Sequence, residues 1–126
     1  MELRAHLGKV RGLGSNNSGS KHWWSQRVSG IALIPLTLWF LMSIINIFNA
    51  DLAAFKDWIN YKANAALLSL LITFMFYHGF LGLQVIIEDY IHQERVKISI
   101  LLICRFIIIS FGTYSIFSIM KLTFGG

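Results

Sequence analysis

ANAALLSLLITFMFYHGFLGLQVII, residues 63–87, runs for twenty-five positions without an Asp, Glu, Lys or Arg. A helix needs about 20 apolar residues to cross the hydrocarbon core of a bilayer, so this stretch is long enough to span one. His78 lies inside it, with Gly82 one helical turn further on and on the same face. An imidazole at that depth is costly unless something uses its nitrogen, so it is a functional candidate by default. Neutral imidazole is a common axial ligand of heme iron, and the gap at Gly82 would let a flat macrocycle lie against the helix.

Two further stretches have the same character. Val28–Asn49 and Ile98–Met120 are both apolar and of spanning length. With 56% hydrophobic and 13% charged residues in a 126-residue chain, little is left for a soluble domain. The expected fold is all-α: three transmembrane helices in one domain over residues 22–126, packing with a partner subunit into a helical bundle. Residues 1–21 are polar, with Gly and Ser concentrated in Gly12–Ser20, and are expected to form a flexible cytoplasmic tail. They lack the apolar core of a secretory signal. Leu52–Ile59, between the first two spans, is expected to form a short interfacial helix. Asp51, Lys56, Asp57 and Lys62 read as solvated loop charges. The single Cys104 reads as a small buried apolar residue.

The net charge of +5 is unevenly placed. Arg4, Lys9, Arg11, Lys21, Arg27, Arg95 and Lys97 fall on one side of a three-span topology, and Lys56, Lys62 and Lys121 on the other. The richer side, with the N-terminus, is then cytoplasmic. Charges that flank spans rather than stripe a soluble face argue against nucleic-acid binding and for contact with membrane lipid. Arg105, about two turns into the third span, must snorkel or find an anion such as Glu88, Asp89 or a heme propionate. Pro35 in the first span reads as a tolerated kink.

Can this chain supply both axial ligands of a heme? His6, His22 and His92 all belong to the cytoplasmic side, whereas His78 lies about 18 Å along the helix from Tyr90 at that surface. Two axial ligands sit about 4 Å apart across the iron, so none of the three reaches it. Met42 and Met75 stay open. The sequence argues for half a heme site, the second ligand coming from another subunit. Trp23 and Trp24 mark the headgroup level, beside the polar cluster His22, Ser25, Arg27 and Ser29.

The stretch His78-Gly-Phe-Leu-Gly82-Leu-Gln84-Val-Ile-Ile-Glu-Asp89-Tyr90 resembles the second-helix signature of the small cytochrome b subunit of succinate dehydrogenase, its hydrophobic membrane anchor. His22-Trp-Trp-Ser-Gln-Arg27 resembles the start of the first helix in alphaproteobacterial and mitochondrial-type members. The resemblance covers most of residues 20–122. It implies that His78 is one axial ligand of heme b and of its iron, the large cytochrome b subunit giving the other. It implies that Tyr90 hydrogen-bonds ubiquinone, that Asp89 supports Tyr90, and that Arg27 lies near the heme propionates and quinone. His22 is the weakest of these transfers, because its spacing to the arginine shifts by one residue within the family.

The same resemblance implies an iron–sulfur and a flavoprotein subunit as further partners, with electrons passing from succinate to ubiquinone in the tricarboxylic acid cycle. The chain itself would be non-catalytic, since it has no flavin or iron–sulfur motif. A phenol at the membrane surface suits the quinone role, offering a donor without a buried charge. A location in the bacterial cell inner membrane is expected rather than the mitochondrial one, from the short N-terminus without a presequence. The rival readings are a fumarate reductase anchor, a small proton-coupled transporter using His78 and Arg105, and a structural subunit with a vestigial site.

Overall fold

A computed structural model of the chain describes residues 15–125, with side chains from residue 19 onward. It contains four helices: α1 (Ser15–Ile47), α2 (Leu52–Asn60), α3 (Lys62–Tyr90) and α4 (Glu94–Phe124). Three of them are long and apolar enough to cross a membrane, and no strand forms among the described residues. This is a multi-pass, all-helical membrane protein. At 1.5 Å per residue the three long helices measure about 43–50 Å, so each runs beyond the ~30 Å hydrocarbon layer into the interface.

The start of α1 departs from expectation. Ser15–Lys21 are helical, so the polar segment expected to belong to a flexible tail extends the first helix outward. Once the apolar part of the span has nucleated the helix, each added residue needs only propagation, which polar residues also support. Residues 1–14, which carry the rest of the expected tail and His6, lie outside the described residues. Pro35 sits inside α1 without ending it.

The short helix expected between the first two spans is α2. Asp51 is not a free loop charge but its N-cap: its carboxylate accepts a 2.9 Å hydrogen bond from the Ala54 amide. One residue, Tyr61, joins α2 to α3, and the three residues 91–93 join α3 to α4. Connections this short force α3 and α4 to run antiparallel as neighbours.

Helix α3 is the central element and packs against both α1 and α4, which flank it without a substantial interface of their own. The best-sealed region lies at the α2 end. Ile59, Ala65 and Ile119 are buried there, with Trp58, Leu68 and Ile72 against them. The Trp58 ring stacks on Trp39 at 5.8 Å between centroids. Two cross-links close it: Asn64 Nδ2 donates to the Trp58 carbonyl at 2.9 Å, and Thr123 Oγ1 donates to the Ile59 carbonyl at 3.1 Å.

Hydroxyls inside the spans cost little, because they bond back to their own helix. Ser69, Thr73, Ser99, Ser115 and Ser118 each donate to the carbonyl four residues earlier, at 2.8–2.9 Å. One hydroxyl, that of Ser29, does more than this.

Candidate functional site

The face of α1 toward α3 carries His22, Gln26 and Ser29, spaced i, i+4 and i+7. That spacing puts them in one stripe. The opposing face of α3 carries His78, Gly82 and Val85 at the same spacing. The helices run antiparallel, so the stripes meet in reverse order: Ser29 with His78, Gln26 with Gly82, and His22 beside Val85.

Ser29 is the one buried polar residue among the described residues, at 2% exposure. Its Oγ lies 3.0 Å from His78 Nδ1 and 3.1 Å from the Gln26 carbonyl oxygen. The next residue, Gly30, gives the imidazole its room: a Cβ there would lie 3.3 Å from His78 Cε1 and 3.8 Å from Nδ1. The ring is thus held against the backbone of α1 through one edge. Its other nitrogen, Nε2, has no hydrogen-bond partner among the described residues.

The space expected at Gly82 is present and is bordered by α1. A Cβ there would meet Gln26 Nε2 at 3.8 Å, ordinary contact, because the Gln26 side chain reaches across from α1. Gly82 lines a recess of about 410 Å³ together with Gly19, His22, Trp23, Gln26, Arg27 and Val85. His22 Nε2 and Gln26 Oε1 are buried there without a partner. A buried polar atom left unpaired costs about 1–3 kcal/mol. Arg27 stands beside them with its guanidinium 5.4 Å from the Trp23 ring centroid, within cation–π range.

The remaining expected site residues lie elsewhere. Tyr90 is the last residue of α3 and is 79% exposed, and Asp89 next to it is exposed as well. No hydrogen bond joins the two, so the structure does not bring Asp89 onto the Tyr90 hydroxyl. His92 is in the turn after α3. His22 is seven residues from Ser29, about 10 Å along α1, and is therefore far from the His78 ring. Met42 is 67% and Met75 51% exposed, and Met75 shares the helix of His78, one turn away. Among the described residues no group of three or more His, Cys, Asp or Glu could hold a metal ion.

Arg105 faces away from this site. Its guanidinium lies 5.3 Å from the Phe80 ring centroid, in a groove of about 510 Å³ between α3 and α4. Phe80 follows His78 by two residues, or about 200° around the helix, so Arg105 and the imidazole occupy opposite sides of α3. No carboxylate lies within ion-pairing distance of Arg105 among the described residues, where the ion pair formed is Lys97 with Glu94 at 3.6 Å. Glu88, one of the anions expected for it, instead accepts a 3.1 Å hydrogen bond from Gln84.

Sequence reading missed the contact of Ser29 with His78 and the role of Gly30. The signal was present in the i, i+4, i+7 polar stripe of α1, but only the rotation and register of α1 on α3 tell which partner it meets.

A chain with three helices long and apolar enough to span a membrane, two of them joined through a serine–imidazole contact, is a multi-pass membrane protein. The sequence matches, over residues 1–113, the family described as succinate dehydrogenase/fumarate reductase transmembrane subunit, and the chain belongs to that family. It is 30% identical over 105 residues to the succinate dehydrogenase hydrophobic membrane anchor subunit of Rickettsia conorii, covering 82% of this chain and 83% of that one. The protein of the same name from Rickettsia bellii is 33% identical over 96 residues, or 76% of this chain and 77% of that one. The succinate dehydrogenase membrane anchor subunit of Reclinomonas americana is 32% identical over 100 residues, covering 77% and 83%. No solved structure matches the chain.

Proposed function

We propose that this chain is the membrane-anchoring cytochrome b subunit of a succinate dehydrogenase. It holds the flavoprotein and iron–sulfur subunits at the membrane and shares a heme b and a ubiquinone site with the large cytochrome b subunit, in a common helical bundle. The observation that carries the reading is the His78 imidazole, about 18 Å along α3 from Tyr90, with Nδ1 engaged and Nε2 free.

The residues present suit such a heme. His78 offers one nitrogen donor, and the opposite ligand would come from the large cytochrome b subunit. Arg27 supplies a cation, and His22 a buried ring nitrogen without a partner, at the level where propionates or a quinone head group would lie. The heme, when bound, supplies a reversible one-electron carrier. The protein's own part is to orient the imidazole, exclude water from it and balance charge at its polar edge.

Tyr90, exposed at the end of α3, would donate a hydrogen bond to a quinone carbonyl oxygen at a surface completed by the iron–sulfur subunit. Asp89 supports that donor or a proton route to it. Arg27 would stabilise negative charge developing on the quinone oxygens. Succinate oxidation would take place in the flavoprotein, with electrons arriving through the iron–sulfur subunit and leaving on ubiquinol as part of the tricarboxylic acid cycle. The tail and the α3–α4 turn would face the cytoplasm across a bacterial inner membrane.

The family description also names fumarate reductase, which supports a second reading: the same anchor serving the reverse reaction with a low-potential quinone. Quinone extracted from the purified complex distinguishes them, ubiquinone supporting the first and menaquinone the second. The primary reading is tested by co-purifying the tagged chain and recording the reduced-minus-oxidised optical spectrum. A b-type band together with flavoprotein and iron–sulfur partners supports it; a complex without heme or without those partners contradicts it.

A further inference from the structure

The hydroxyl of Ser29 has one proton and two neighbours within hydrogen-bond distance, His78 Nδ1 at 3.0 Å and the Gln26 carbonyl oxygen at 3.1 Å. A carbonyl oxygen can only accept, so the contact with Gln26 requires Ser29 to donate there. The contact with Nδ1 is then a hydrogen bond only if the ring donates to the hydroxyl. Both contacts are satisfied by one order of protons: Nδ1–H to Ser29 Oγ, and Ser29 Oγ–H to the Gln26 carbonyl. The reverse order would have Ser29 donate to Nδ1 and make one of the two contacts in place of both, at a position 2% exposed.

A neutral imidazole carries one ring proton. Placing it on Nδ1 leaves a bare lone pair on Nε2, the state a metal-binding nitrogen needs. We infer that Ser29 is a positioning residue that holds His78 in the Nδ1–H tautomer, presenting Nε2 as the heme-iron ligand; this rests on the reading of His78 as that ligand. Gly30 completes the device. With a Cβ the wall would come within 3.3 Å of Cε1, so the ring lies flush against α1 and its rotation is restricted on the side where Ser29 holds it. Ligating histidines characteristically donate their second N–H to a fixed acceptor, which sets tautomer and orientation and raises ligand basicity. Here the acceptor is a serine hydroxyl polarised by a helix carbonyl, in a different helix from the ligand.

The test uses the assembled complex purified from its native membrane, carrying Ser29→Ala, Ser29→Thr, Ser29→Val or His78→Ala. Thr and Val have the same shape and differ in the hydroxyl, so comparing them removes the effect of altered packing. Three properties are read: the rate of heme transfer to an excess of apomyoglobin, the low-spin heme signal in electron paramagnetic resonance, and the heme midpoint potential. Ser29→Ala and Ser29→Val are expected to lose heme about 10-fold or more faster than wild type, with a shifted low-spin signal and potential, while Ser29→Thr stays close to wild type. Equal behaviour of Thr and Val overturns the inference. If they are equal and His78→Ala abolishes the low-spin signal, the ligand assignment stands and Ser29 alone is excluded. If His78→Ala keeps a wild-type signal, the ligand assignment falls and the inference with it. Should Ser29→Ala fail to assemble, the Thr and Val pair decides the matter.

Discussion

The two ends of this bundle solve the same problem differently. At the α2 end every element closes on another: Ile59, Ala65 and Ile119 are buried together, Trp58 stacks on Trp39, and two side chains cap backbone carbonyls across elements. At the opposite end α1 and α3 meet along a polar stripe that leaves His22 Nε2 and Gln26 Oε1 without partners, and α3 finishes on an exposed Tyr90. The long helices reach both ends but α2 closes only one, so the difference lies in α2 and in which side chains face inward. One end closes within the chain, and the other is the end to which the proposed heme and quinone contacts belong. Stability should therefore be concentrated at the α2 end and function at the other, with little exchange between them.

Substitutions at the two ends should separate these properties. The largest stability effect is expected from Ile59→Ala, which opens a cavity at a residue 1% exposed and costs about 2–5 kcal/mol. Thermal unfolding of the purified complex would register it, while the optical spectrum of the remaining folded protein should be unchanged. A spectral shift would mean that the two ends are coupled. Tyr90→Phe should do the opposite. Its side chain is exposed in this chain, so the melting temperature should hold, while quinone reduction falls roughly 5- to 100-fold for the loss of one hydrogen bond. Unaltered quinone kinetics would remove Tyr90 from the site.

Gly30→Ala and Gly82→Ala sharpen the contrast within the polar end. The first pushes a methyl group to 3.3 Å from the His78 ring and should cost about 1–3 kcal/mol with a disturbed heme signal. The second makes an ordinary 3.8 Å contact with Gln26 and should leave the bundle of this chain unaffected; a strong loss of heme in it would place the macrocycle against Gly82 after all. The smallest effect is expected from Thr123→Val, which removes one hydrogen bond at the α2 end and should lower stability by about 1 kcal/mol, with normal heme content.

The same contrast explains what could be read in advance. Three spans follow from length and hydropathy alone, because a bilayer admits few alternatives to apolar helices. The short helix between the first two spans was also legible, though not the Asp51 cap that starts it. His78 stood out because an ionisable group in a span demands a reason, and Tyr90 because it ends the same helix. Which residues face one another was not legible. Ser29 read as one of several polar groups near a headgroup layer, and only the register of α1 on α3 turns it toward the imidazole. Gly82 read as an opening and does line a recess, but that Gln26 of the neighbouring helix borders it was not legible. Arg105 invited an acidic partner, and the rotation of α4 sets it against an aromatic ring instead. Periodicity gives the faces of each helix, but their mutual rotation is decided by side-chain packing between helices.

The central claim is that this chain contributes His78 to a shared heme. The most direct measurement is the reduced-minus-oxidised optical spectrum of the co-purified complex, compared between wild type and His78→Ala. The account predicts a b-type band in the wild type that is lost or altered in the variant, with the flavoprotein and iron–sulfur subunits present in both. An identical band in the two would contradict it.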